Sequence, residues 1–187
     1  EKILNNDSGA IARMFNCEFN ALAEFPDLDY YPEHLHSEID ELNEYIADSL
    51  NDGVYRCLLA KNQEDYETAF DRLFDALEKL DDRLQSQRYL LGNNPTEPDW
   101  RLFACLVRFD AVYHGLYKCN LKRIVDYKNL WPYTRDLYQL SNVAVTVDLE
   151  RIKSGYYGNV SRGGIVPKGP LIDFEEPHQR AELGSAS

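Results

Sequence analysis

A chain of 187 residues with 44% hydrophobic and 28% charged side chains can bury a proper core and has the balance of a water-soluble globular protein. Its net charge of −12 leaves no basic stripe for a phosphate backbone, which argues against nucleic acid, and no apolar run approaches the roughly 18 residues of a membrane span. Four cysteines without a CxxC or a regular spacing point to reduced thiols in a cytoplasmic protein, with neither a metal site nor a disulfide frame.

The first residues, EKILNNDSG, lack the apolar stretch of a signal peptide. Asp7 and Ser8 are both good helix caps, and Ile11, Met14, Phe15 and Phe19 follow at helical spacing, so a first helix is expected from Ser8 to about Ala23. The turn-rich EFPDLDYYP ends it, and Pro32 suits the first turn of a second helix with Leu35, Ile39, Leu42 and Ile46 on one face, backed by Tyr45. NDGVYR is expected to interrupt or end that helix, because Asn51, Asp52 and Gly53 are poor interior residues. In DYETAFDRLFDALEKLDDRL, apolar residues from Tyr66 to Leu84 recur every three or four positions, and a helix end is expected near Gly92.

The next start is specific. Thr96 and Asp99 form a capping box, Pro95 and Trp100 stand where a hydrophobic staple would, and Asp99 reads as a cap rather than a catalytic acid. From Leu102 to Phe109 the helix is apolar almost all round, the mark of a helix at the centre of a bundle. NLWPYTRDLYQL and VAVTVDLERIKSGYYG complete the helices, and from Gly158 a Gly- and Pro-containing tail shows no period. The fold class is therefore all-α, a bundle of five to six helices with one buried central helix and an extended C-terminal tail.

Thirteen tyrosines, eight phenylalanines and two tryptophans in a helical chain suggest an amphipathic cavity or interface, although most tyrosines in a bundle simply pack with their tips in water. Tyr55 and Tyr156 stand beside glycine at a helix break or end, where a ring can face a cleft. Tyr113 and Tyr117, four apart, read as helix packing. His34 and His36 point to different sides of a helix and cannot share a metal. Arg13, His114 and His178 carry no catalytic signal, and GNNP and SRGGIVPKG lack the strand-to-helix setting of a phosphate loop.

The R-Y-L-x-G turn followed by T-x-x-D at the start of a buried helix resembles the C-terminal helical domain of glutathione transferases. NDGVYR, SGYYG, LVRFDAVYHGLYKCN and the closing GIVPKGP…EPHQR are similar, more narrowly, to the glutathionyl-hydroquinone reductases, the omega-like xi class of those transferases. The resemblance spans Asn6 to Arg180. It implies that residues 1–24 close a thioredoxin-like glutathione-binding domain, that 25–157 are the helical domain and that 158–187 form the tail. It implies that Asp7 and Ser8 bind the γ-glutamyl end of glutathione, with Asp where the family usually has Glu. A helix N-terminus beside an acidic residue suits those charges.

The resemblance also implies the chemistry. In the family a cysteine of a Cys-Pro-Trp-Ala motif attacks the glutathionyl sulfur of a glutathionyl-hydroquinone, the ring takes up a proton, and a second glutathione resolves the mixed disulfide. Tyr55 and Tyr156 match its substrate-site tyrosines, with Tyr157 as the alternative to Tyr156. Glutathione and a quinone-type small molecule are the implied partners, and a homodimer the implied assembly. The motif itself is absent from this sequence, and Cys17, Cys57, Cys105 and Cys119 all read as structural thiols. Two readings therefore stand: the helical part of a glutathione-dependent enzyme, or a non-catalytic helical interaction module. An exposed apolar face, which should meet the thioredoxin-like half, is expected around Ile3, Leu4 and Ile11.

Overall fold

The computed structural model describes residues 3, 5–160 and 164–184. Among them the fold is helical, and an isolated bridge between Tyr89 and Gly92 is the sole β pairing.

Helix α1 spans Ser8–Cys17, with Asp7 Oδ1 accepting the Ala10 N–H at 2.7 Å. It stops short of Ala23 and gives way to a 3-10 turn at Asn20–Leu22. None of its residues is buried, so no packing prolongs a short helix of modest propensity. Polar contacts hold it instead: Arg13 donates to Glu97 at 2.7 Å and to Asp40 at 2.5 Å, with its guanidinium 3.7 Å from the centre of the Tyr31 ring. The exposed apolar residues lie further along than expected. Ile11 is half-buried, whereas Met14, Phe15, Phe19, Leu22, Phe25 and Leu28 face outward; Ile3 is exposed and Leu4 lies outside the described residues.

Behind Pro32 and a 3-10 turn, α2 (His36–Ile46) buries Ile39, Leu42 and Ile46. NDGVYR does not end the helix. A π turn at Ala47–Asn51 passes directly into α3 (Asp52–Leu59). Tertiary contacts override weak propensity here. Gly53 packs against Leu73 of the next helix, and Arg56 and Arg72 both bind Asp48 across the turn.

Helix α4 (Gln63–Arg83) starts on Asn62, which accepts the Asp65 N–H at 2.8 Å, and buries Leu73, Phe74, Leu77 and Leu80. It ends at Arg83, not near Gly92. The chain turns back, Arg83 donates to the Leu90 carbonyl, and Gly92 takes φ +126° to close the Tyr89 bridge. Gly92 serves a tight turn rather than a helix C-terminus.

Helix α5 (Glu97–Arg108) is the buried centre, with Leu102, Phe103, Cys105, Leu106 and Val107 inside. A second π turn, Phe109–Tyr113, carries it into the short α6 (His114–Leu116). Helix α7 (Leu130–Tyr138) and helix α8 (Leu149–Val160) come next. In the stretch after Gly164, Phe174 is buried and stacks on Tyr138 with ring centres 4.9 Å apart, and Gln139 donates to the Phe174 and Glu176 carbonyls. Arg180 reaches back to the carbonyls of Leu84, Gln87 and Arg88. Among the described residues no helix is long and apolar enough to cross a membrane.

Candidate functional site

The two π turns matter for one reason: each adds a residue to a helical turn and so rotates the side chains beyond it to a new face. The first directly precedes α3 and Tyr55; the second contains Tyr113. Tyr117 sits at the end of α6 and Tyr156 on α8. These four tyrosines, from three separate helical stretches, converge. The Tyr113 and Tyr156 hydroxyls are 3.1 Å apart and those of Tyr55 and Tyr156 3.4 Å. Tyr55 and Tyr117 rings lie 5.2 Å apart, Tyr113 and Tyr117 5.1 Å, and Tyr113 meets Tyr156 edge-on at 5.8 Å.

The cluster is graded from inside to outside: Tyr113 and Tyr117 are buried, Tyr156 is half-buried and Tyr55 is 40% exposed. A cleft of about 540 Å³ opens beside Tyr156, and one of about 720 Å³ beside Tyr55. The Tyr55 hydroxyl is held above its ordinary pKa first by its hydrogen bond to Tyr156 and then by burial; Tyr113 and Tyr117 are pushed up chiefly by burial. All three therefore stay protonated at neutral pH. The hydroxyls of Tyr113, Tyr156 and Tyr55, linked in a row by two contacts, carry three hydrogens, so one hydrogen is left over for a further acceptor.

Tyr156 and Tyr55, singled out from the sequence, are thus brought together, while Tyr157 turns elsewhere, its hydroxyl 3.1 Å from where a side chain on Gly115 would begin. Tyr113 and Tyr117 belong to the cluster as well as to the core. Their spacing of four fits both roles equally, which is why sequence alone favours packing.

Asp7 and Ser8 lie at the exposed start of α1. Asp7 caps the helix, and among the described residues neither bonds to a tyrosine of the cluster. Asp99 is fully buried. It accepts the Thr96 N–H (2.8 Å), the Thr96 hydroxyl (2.9 Å), the Leu90 N–H (2.9 Å) and the Tyr133 hydroxyl (2.8 Å). Burial still holds its carboxyl above the ordinary value. Such saturation leaves no acid to lend.

Cys17 is exposed and the other three cysteines are buried. Burial pushes the Cys105 thiol up to about 12. Cys119 donates to the Tyr117 carbonyl, and the interaction of the Cys57 and Cys119 thiols lowers Cys57 and raises Cys119. His36 stacks on Tyr31, and among the described residues no group of three His, Cys, Asp or Glu side chains is placed to hold a metal.

Residues 63–136 match the family model described as glutathione S-transferase, C-terminal domain. The chain is 44% identical over 181 residues to glutathionyl-hydroquinone reductase YqjG of Escherichia coli, covering 95% of this chain and 55% of that protein. It is 46% identical over 173 residues to glutathionyl-hydroquinone reductase PcpF of Sphingobium chlorophenolicum, covering 91% and 55%. The glutathione-bound structure of YqjG superposes with a TM-score of 0.89 over 96% of this chain and 59% of that one, at 43% identity. A xi-class transferase from Natrialba magadii gives 0.92 over 97% and 56%, at 44% identity. This chain is a relative of the xi-class glutathione transferases. It spans about half the length of the curated relatives it matches. The helical region 63–136 lies within the matched family domain, and α5, with the Asp99 cap at its start, is that domain's buried centre.

Proposed function

We propose that this chain supplies the ring-binding half of a glutathione-dependent reductase that converts glutathionyl-hydroquinones to hydroquinones. The observation that carries the reading is the four-tyrosine cluster, which offers aromatic faces and one unengaged hydroxyl hydrogen at the edge of a cleft.

In that reaction a thiolate attacks the glutathionyl sulfur, the carbon–sulfur bond to the ring breaks, and the ring carbon keeps the electron pair and takes a proton. A second glutathione thiolate then attacks the mixed disulfide, releasing the enzyme thiol and glutathione disulfide. Tyr156, whose hydroxyl lies between those of Tyr55 and Tyr113, donates the ring proton, and Tyr55 holds that hydroxyl in place. The nucleophile belongs to a thioredoxin-like half with a Cys-Pro-Trp-Ala motif, which none of the four cysteines here provides.

In this reading residues 1–24 close the thioredoxin-like half, 25–157 are the helical domain and 158–187 its tail, although α8 runs on to Val160. Asp7 and Ser8 take the γ-glutamyl ammonium and carboxylate of glutathione. The outward apolar side chains Met14, Phe15, Phe19 and Leu22 support a further half seated on that side, and two such molecules pair as a homodimer. The same exposed face is what favours the second reading, an interaction module without catalysis. The readings separate in one assay. In a protein carrying both halves, Tyr156→Phe slows release of hydroquinone while Tyr157→Phe does not; equal rates for both variants and the parent overturn the catalytic reading.

A further inference from the structure

Resting on the reading that an aromatic ring lies against the tyrosine cluster, we infer that Arg108 and Arg151 form a subsite beside Tyr156 for an anionic substituent on that ring, a carboxylate or a sulfonate. The cleft of about 540 Å³ next to Tyr156 is walled by these two arginines together with Thr146, Asp148 and Ile152. Its size suits a fused two-ring compound with one substituent.

The two arginines stand out against the rest of the chain. In a protein of net charge −12, most other arginines face carboxylates: Arg13 meets Asp40 and Glu97, and Arg88 meets Asp136 at 2.8 Å through two nitrogens. Among the described residues Arg108 and Arg151 form no ion pair. Arg108 donates to the Ala104 carbonyl, which uses one of its five N–H groups, and the Arg151 side chain reaches no carboxylate.

The other polar groups of the wall are already engaged. Asp148 accepts the Arg151 backbone N–H at 2.9 Å, capping the start of α8, and Thr146 donates to the Val143 carbonyl at 2.7 Å. Glu150, next along α8, pairs with Lys153 at 2.6 Å. Ile152 gives the floor an apolar patch. The wall thus joins an aromatic edge, an aliphatic surface and two guanidinium groups, whose planar forks match the oxygens of a carboxylate or sulfonate. The long-range field of an acidic chain repels anions, so selection of one must be local to this pair.

Calorimetric titration tests this with two probes that react with no thiol: naphthalene-2-sulfonate and the neutral 2-(hydroxymethyl)naphthalene. The parent protein should bind the sulfonate about tenfold more tightly, a factor expected of one charge-assisted contact. High salt should shrink that preference. Arg151→Gln should lose most of it, and Arg108→Gln with Arg151→Gln all of it, with neutral binding unchanged. Equal binding by the parent, or a preference that survives the double variant, overturns the inference alone. Displacement of the sulfonate by glutathione also overturns it, assigning the arginines to the tripeptide. If neither probe binds, the tyrosine cluster is not a ring site and both readings fall.

Discussion

Two groups of tyrosines in this molecule use the same hydroxyl in opposite ways. Tyr89 and Tyr133 are buried, and each hydroxyl ends on a carboxylate: Tyr133 on Asp99 at 2.8 Å, Tyr89 on Asp136 at 3.3 Å. Those carboxylates are in turn fixed, Asp99 by the α5 cap and Asp136 by Arg88. Tyr55, Tyr113, Tyr117 and Tyr156 have no such anchor; their hydroxyls answer chiefly to one another, at the rim of a cleft. The first group is locked because every polar atom has a committed partner. The second keeps a hydrogen in reserve at that rim, where a ligand can accept it. A tyrosine-rich composition therefore says little until the partners of each hydroxyl are known.

The sharpest way to break this contrast is at Asp99. Asp99→Ala removes the acceptor of four buried donors and should cost about 3 kcal/mol or more, read as a lower urea midpoint. A loss below about 1 kcal/mol would mean that the locked group is not locked. Tyr133→Phe deletes one donor while Asp99 keeps three others, so about 1–2 kcal/mol is expected in the same experiment. Changing Phe15 and Phe19 together to Ser touches nothing buried; stability should move by less than about 0.5 kcal/mol while binding of a thioredoxin-like half weakens.

The smallest effect is a slope with pH. His178 accepts the Arg180 N–H through Nδ1, and burial lowers its ring below the usual 6.5, with Arg88, Arg135 and Arg180 pushing the same way and Asp136 opposing. Stability from the neutral ring is complete above pH 6.5 and is lost as pH falls through the lowered folded value. Melting temperature measured against pH should show this shallow loss, and His178→Gln should flatten it. An unchanged slope would place the proton uptake elsewhere.

Range decides how much of this was legible in the sequence. The α4 stripe and the Thr96–Asp99 start of α5 are local patterns, and local patterns survive in a sequence. The continuous α2–α3 helix was not legible, because what holds the turn is Asp48 with Arg56 and with Arg72 of the next helix, contacts that no local pattern announces. Gly92 misled for a related reason: its positive φ is real but serves a turn closed by Tyr89. Tyr55 and Tyr156 could be picked out by their glycine neighbours, and Tyr113 and Tyr117 could not be told from core. In an aperiodic stretch, Arg180 binds a carbonyl 96 residues away and His178 stands 3.6 Å from the Asp136 carboxylate, and no short-range signal carries that.

The most direct test of the central claim is the single-turnover rate of hydroquinone release from a glutathionyl-hydroquinone, by a protein carrying both halves, with Tyr156 intact or changed to Phe. A tyrosine that donates the ring proton predicts a fall of about a hundredfold with the melting temperature unchanged. An unaltered rate would contradict the account, leaving the cluster as packing and the chain as a binding module.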